Sequence, residues 1–336
     1  MAGSGGIGPF SQPARERRPL IRSIPPAWRS SRHAHTFVAA VVALASLAAV
    51  PAEGQDSLPH VTITTEPTTL QEGSIGWLRV RTHEGVLVSG GEVAGEPLHF
   101  APSRDSIFRG LIAVPVEAPD SLLVSLFLEQ PGRSDTLPIF VRVHRAGYAS
   151  ETLSVPPAYA RPDSAAAVRI QSEIAKSREV SRASQARPRI WRGPFRLPRR
   201  SRITSPFGTA RVYNGEVQSR HLGTDFAGAI GAPVRAAGRG VVALVANFYL
   251  AGRAVYIDHG AGLVTGYFHL SRTDVREGDS VLAGQRIGAV GQSGRVTGPH
   301  LHWVARYGAI SVDPMSLLKL ERMSPGQRTS KASQRN

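Results

Sequence analysis

Cysteine is absent from the 336 residues, which excludes thiolate nucleophiles, cysteine-ligated zinc sites and disulfide staples. Any metal held by this chain must therefore be held by histidine and carboxylate. The absence leaves the compartment open, because disulfides are permitted outside the cytoplasm without being required there. A helical His-Glu-x-x-His zinc motif, a dinucleotide fingerprint and a Walker loop are also missing. Gly288, Gly291, Gly294 and Gly298 fit neither phosphate loop and read as turns beside a cleft, so no cofactor-binding loop is assigned. Gly291-Gln-Ser-Gly294-Arg295 opens like a nucleophile elbow, but arginine stands where the last glycine belongs. No strand-to-helix context follows it, which disfavours a serine hydrolase.

What is present points to a β-rich, exported protein. Hydrophobic residues make up 41%, with 34 Gly and 25 Pro, a balance that favours short strands over long helices. The length suits two folded units with connecting segments. Phe37 to Val50 is an apolar run of 14 residues behind a segment carrying Arg15, Arg17, Arg18, Arg22, Arg29 and Arg32. That run is short of the roughly 20 residues needed to span a bilayer. Residues 1–52 therefore read as a signal peptide cleaved after Ala52, placing the protein in the periplasm, the extracellular space or the cell envelope. If the segment stays uncleaved, it is an N-terminal anchor and the chain's only membrane contact.

The formal net charge is +15, and removing residues 1–52 with their six Arg and one Glu leaves +10. Export turns the expected partner from nucleic acid to anionic envelope polymers and lipid head groups, on which the same long-range attraction acts.

Along the chain, residues 58–145 alternate as short strands, among them Val61-Thr-Ile-Thr-Thr65 and Ile139-Phe-Val-Arg-Val143. They predict an immunoglobulin-like β-sandwich with His83, His99 and His144 at its surface. Residues 146–202 form a linker: a helix over 164–182, where Ala167, Ile170 and Ile174 recur at helical spacing, then a connector. The connector holds eight Arg between Arg182 and Arg202 and no acidic residue, and is read as solvated, with gripping of anionic wall material as a second role. Residues 203–320 are a second all-β domain, and 321–336 a disordered tail.

Three segments of the second domain gather titratable groups: Arg220-His221-Leu-Gly-Thr-Asp225, Tyr267-Phe-His269-Leu-Ser271 and Gly298-Pro-His300-Leu-His302-Trp303. On a strand His300 and His302 project from one face. His221 and Asp225, four apart, can chelate. Two histidines and one carboxylate are a ligand set of catalytic zinc, with a fourth position open for water. Singly, none of these spacings separates a ligand from a hydrogen-bonded histidine. His259, in Ile257-Asp-His-Gly260, has no chelate partner by spacing and reads as a loop histidine supporting the fold.

Together with Ile203-Thr-Ser-Pro-Phe-Gly208, Arg211-Val-Tyr-Asn-Gly215, Val281-Leu-Ala-Gly-Gln-Arg-Ile-Gly288 and Thr297-Gly-Pro-His-Leu-His302, these segments make the second domain resemble the lysostaphin/LytM-type zinc endopeptidases of peptidoglycan. The resemblance implies a LytM-type antiparallel β catalytic domain holding one Zn2+ per chain through His221, Asp225 and His302. It implies that His269 and His300 stand in the cleft without ligating and assist catalysis, and that peptide cross-links of peptidoglycan are the substrate. No Glu occupies a motif position to act as base, so these two histidines share the proton-transfer and oxyanion roles. Members that have lost the peptidase activity and activate cell-wall amidases lack some of these residues; here every position is filled. The competing class is a non-catalytic wall-binding protein or amidase activator, with an amidase or envelope protein as partner. The linker helix and sandwich are further expected to lie over the groove.

Overall fold

The computed structural model describes residues 61–101, 106–154, 156, 162–213 and 217–320, all within the compact unit Asp56–Asn336. The expected signal segment 1–52 and tail 321–336 lie outside the described residues.

The first region comprises β1 (Thr62–Glu66), β2 (Leu70–Gln71), β3 (Ile75–Arg81), β4 (Leu87–Val93), β5 (Glu96–Leu98), β6 (Phe100–Ala101), β7 (Ile107–Ala113), β8 (Ser121–Gln130) and β9 (Arg133–His144). They form two sheets, ordered β1-β3-β7-β6 and β2-β9-β8-β4-β5. Pairing is antiparallel except for β2 with β9. Strand β8 carries the expected alternation: Leu122, Val124, Leu126 and Leu128 are buried, while Leu123 and Phe127 face outward.

Strand β10 (Ser150–Leu153) and helix α1 (Ser164–Gln185) follow. The helix starts where Asp163 Oδ1 accepts the Ala166 N–H at 2.7 Å, and it runs three residues past the expected end. Its buried positions are Ile170, Ser177, Ser181 and Ser184. A face of serines lets the helix lie close to the strands within residues 240–273.

The second region comprises β11 (Ile203–Ser205), β12 (Ala210–Tyr213), β13 (Val217–Arg220), β14 (Thr224–Ala227), β15 (Pro233–Arg235), β16 (Gly240–Phe248), β17 (Gly252–Gly260), β18 (Leu263–Thr273), β19 (Ser280–Val281), β20 (Arg286–Val290), β21 (His300–Tyr307) and β22 (Ile310–Val312), with helix α2 (Pro314–Leu317). The main sheet runs β11-β14-β21-β18-β17-β16-β19, and β10-β12-β13 form a small separate sheet. Tyr267, Leu301, Trp303, Ala305 and Tyr307 build the core behind its central strands.

The connector departs from its reading as a solvated segment. Trp191 is 2% and Phe195 4% exposed. Trp191 packs between Trp77 of β3, at 5.8 Å between ring centroids, and Phe195 at 5.1 Å. Arg189 covers both tryptophan rings. Backbone bonds from Ile190 N to His259 O (2.8 Å) and from Arg196 N to Ala237 O (2.7 Å) fix the strap to the sheet. Two aromatic anchors among many arginines are too sparse to register as a hydrophobic period, so the burial was invisible in the sequence.

Three further details differ from expectation. His259 is a strand residue, fully buried in β17, its Nδ1 2.8 Å from Arg239 O and its Nε2 2.8 Å from Thr265 Oγ1. His99 is half-buried rather than a plain surface residue, and bonds Gln185 Oε1 at 2.6 Å. Helix α1 contributes no residue to the lining of the cleft described below but lines an adjoining cavity that shares Leu222, Phe268 and His302 with it.

Candidate metal centre and cleft

Asp225 of β14 and His302 of β21 are register partners, as are His302 and Phe268 of β18. Cross-strand pairing thus places the carboxylate and one imidazole side by side on one sheet face. His221 sits in the turn between β13 and β14, with its N–H on Thr209 O and its carbonyl taking the Gly208 N–H, both at 2.8 Å. The ring enters the same space: Nε2 lies 3.1 Å from Asp225 Oδ1 and 3.0 Å from His302 Nδ1. The third side of this triangle, His302 Nδ1 to Asp225 Oδ1, is 2.6 Å. Room for the His302 ring depends on Gly223, where a Cβ would meet its Cε1 at 2.5 Å.

His269 and His300 stand beside this triangle, their rings 4.9 Å apart, and the His269 ring is 5.7 Å from that of His302. His269 Nδ1–H donates to Ser293 O and His300 Nδ1–H to Gly298 O, each at 2.8 Å, which turns both Nε2 atoms away from these backbone anchors. Strand alternation alone would send His269 and its neighbour Phe268 to opposite faces. The β17–β18 register slips here, and His269 adopts φ +60°. This left-handed kink costs on the order of 1–3 kcal/mol and re-aims the ring into the cleft.

The cleft is an open cavity of about 420 Å³ lined by all five sequence-assigned residues, His221, Asp225, His269, His300 and His302. Burial pushes the His302 imidazole down to about 4 and holds His269 well below the ordinary histidine range, with His302 and His300 adding to the effect. Burial alone would raise the Asp225 carboxyl, but His302 and His221 more than offset it and hold it well below the usual carboxylate range. A neutral His302 beside an ionised Asp225 is the protonation pairing that metal ligation requires. Tetrahedral zinc ligand atoms lie roughly 3.3 Å apart for bonds of about 2.0–2.1 Å; the two sides at His221 Nε2, 3.1 and 3.0 Å, come near that spacing, and the Asp225–His302 side, 2.6 Å, is shorter. His221, Asp225 and His302 are also a group that could hold a metal ion, their donor atoms all within 4.8 Å of one another.

Three residues around this cluster carried no sequence signal of their own. Arg211 Nη2 donates to Asp225 Oδ2 at 2.8 Å. Ser205 Oγ lies 3.1 Å from His221 Nδ1. Glu151 of β10 accepts from both Arg211 Nε (2.7 Å) and the Ser205 hydroxyl (3.0 Å). Arg211 lay inside a quoted motif without a role, and Glu151 stands some 60 residues upstream of its partner, beyond the reach of any local spacing.

Residues 219–314, which hold His221, Asp225, His269, His300 and His302, match peptidase family M23. The chain carries an M23, LytM-type, peptidase domain there. Among curated proteins it is 49% identical over 105 residues to the peptidoglycan DD-endopeptidase ShyA of Vibrio cholerae, covering 30% of this chain and 24% of that protein. It is 42% identical over 117 residues to the DD-carboxypeptidase/endopeptidase Mpg of Neisseria meningitidis, covering 35% and 27%. The chain thus spans about a quarter of the length of these relatives. A solved Pseudomonas aeruginosa structure assigned to peptidase M23 shares the fold, with a TM-score of 0.55 and 22% identity over 74% of this chain and 94% of that one.

Proposed function

We propose that this protein is an exported zinc metalloendopeptidase that hydrolyses peptide cross-links of peptidoglycan. His221, Asp225 and His302 hold one zinc ion, and His269 and His300 perform proton transfer and oxyanion stabilisation. The observation that carries the reading is the joint placement of these five side chains in one open cleft. The names of the matched relatives, peptidoglycan DD-endopeptidases among them, support the substrate class.

Zinc bound there would supply Lewis-acid polarisation of a carbonyl and a more acidic water. The remaining work falls to the chain's own groups. The His269 and His300 rings are each oriented by a backbone carbonyl on Nδ1, which leaves Nε2 to take a proton from water, pass one to the leaving amine or face a developing oxyanion. The open cleft admits a polymer-borne peptide, which an enclosed pocket would exclude. The strand orders β1-β3-β7-β6 and β2-β9-β8-β4-β5 support reading the upstream region as an immunoglobulin-like module.

The test is release of new amines from purified peptidoglycan, with metal analysis on the same sample and a His302→Ala control. Zinc near one per chain with His302-dependent release is expected. Bound zinc without release would move the assignment to a wall-binding or amidase-activating role.

A further inference from the structure

We infer that Glu151, on β10 and upstream of the family-matched segment, is a positioning residue for the metal site, acting through Arg211 and Ser205 on the ligands Asp225 and His221. This rests on the ligand assignment proposed above and concerns what holds those ligands in place.

Glu151 and Arg211 are register partners across the parallel β10–β12 pair. Glu151 Oε1 takes the Arg211 Nε–H at 2.7 Å and the Ser205 O–H at 3.0 Å. Each of these partners goes on to touch a ligand on the atom that faces away from the cluster. Arg211 Nη2 bonds Asp225 Oδ2 at 2.8 Å, and Ser205 Oγ lies 3.1 Å from His221 Nδ1. Asp225 Oδ1 and His221 Nε2 are left facing His302. An ion pair that merely closed the β10–β12 edge would need Arg211 and Glu151 alone; the second contacts carry its effect to the ligands.

The need for Glu151 follows from guanidinium geometry. An arginine beside a single carboxylate favours a side-on, two-bond fork that engages both oxygens. Such a fork on Asp225 would draw Oδ1 away from the histidines. With Nε held by Glu151, Arg211 reaches Asp225 through Nη2 alone, and Oδ1 stays free for the cluster. The side chains of Glu151, Arg211 and Asp225 are 27%, 14% and 8% exposed, so solvent screens the arrangement weakly.

The experiment compares zinc dissociation constants of full-length Glu151→Gln, Glu151→Asp and Asp225→Asn by chelator competition, with melting temperatures recorded in EDTA. Glu151→Gln is expected to weaken zinc binding roughly 10–100-fold while melting in EDTA near the unmodified chain. Glu151→Asp, which keeps the carboxylate, should recover part of the affinity. Unchanged affinity in Glu151→Gln, with Asp225→Asn unable to bind, overturns the inference and leaves the ligand assignment standing. So does a Glu151→Gln chain that melts far lower already in EDTA while Glu151→Asp holds zinc no better, because Glu151 would then serve the fold alone. Failure of the unmodified chain to bind zinc strikes the ligand assignment itself.

Discussion

Asp225 and His302 face each other as register partners on β14 and β21, Oδ1 to Nδ1 at 2.6 Å, so sheet pairing itself sets two of the three candidate ligands at chelating distance. The proposed roles divide residues that would hold metal from residues that would act beside it. His302→Ala should lose zinc, whereas His269→Ala and His300→Ala should retain it and lower turnover by about 10²–10⁴-fold. Metal analysis paired with amine release on the three variants checks this. Equal zinc loss in all three would remove the division of roles.

Gly223 is required for space, not for backbone freedom. A methyl group there would stand 2.5 Å from His302 Cε1 and 2.7 Å from Trp303 O. The Trp303 carbonyl belongs to a central strand and cannot retreat, so the histidine ring must. Gly223→Ala is therefore expected to weaken zinc binding at least tenfold, as displaced ligand geometry does, while the fold persists. Chelator competition and circular dichroism on the same sample decide it; wild-type affinity would show that the ring has slack.

Trp191 ties the connector to the first β region through Trp77, and Phe195, stacked on Trp191, reaches the second through His259. Trp191→Ala should cost about 3–5 kcal/mol, the usual size for a deleted buried tryptophan. Denaturant unfolding measures this directly. A loss below 1 kcal/mol would mean that the strap's backbone bonds hold it without the ring.

These cases also mark what the sequence made legible. The strands were readable because period-two alternation is a local signal, and the five cleft residues because several ordered segments together resemble the LytM-type pattern, no single histidine spacing being enough. The connector's burial was not, since Trp191 and Phe195 are isolated apolar residues in a basic stretch. Glu151 was equally hidden, because it reaches Asp225 only through Arg211 after the chain has passed through α1 and returned. The His269 kink could not be foreseen either: it arises from a slip between β17 and β18, which only pairing defines.

His259 gives the fold a pH dependence that can be separated from the metal. Burial lowers its imidazole to about 4, whereas an unfolded histidine titrates near 6.5. Between these values the unfolded chain binds a proton that the folded chain refuses. Stability is therefore full above about pH 6.5 and falls as pH drops toward 4, by roughly 3 kcal/mol from this residue alone. His302 and His269 act in the same direction, so the slope belongs to several buried histidines and is measured in EDTA. His259→Gln offers a side chain that can also bond Arg239 O and Thr265 Oγ1 without titrating. It should be less stable at pH 7 yet lose less on going from pH 6.5 to 4.5, as read by denaturant unfolding at each pH. An unchanged slope would mean that His259 already accepts its proton in the folded protein.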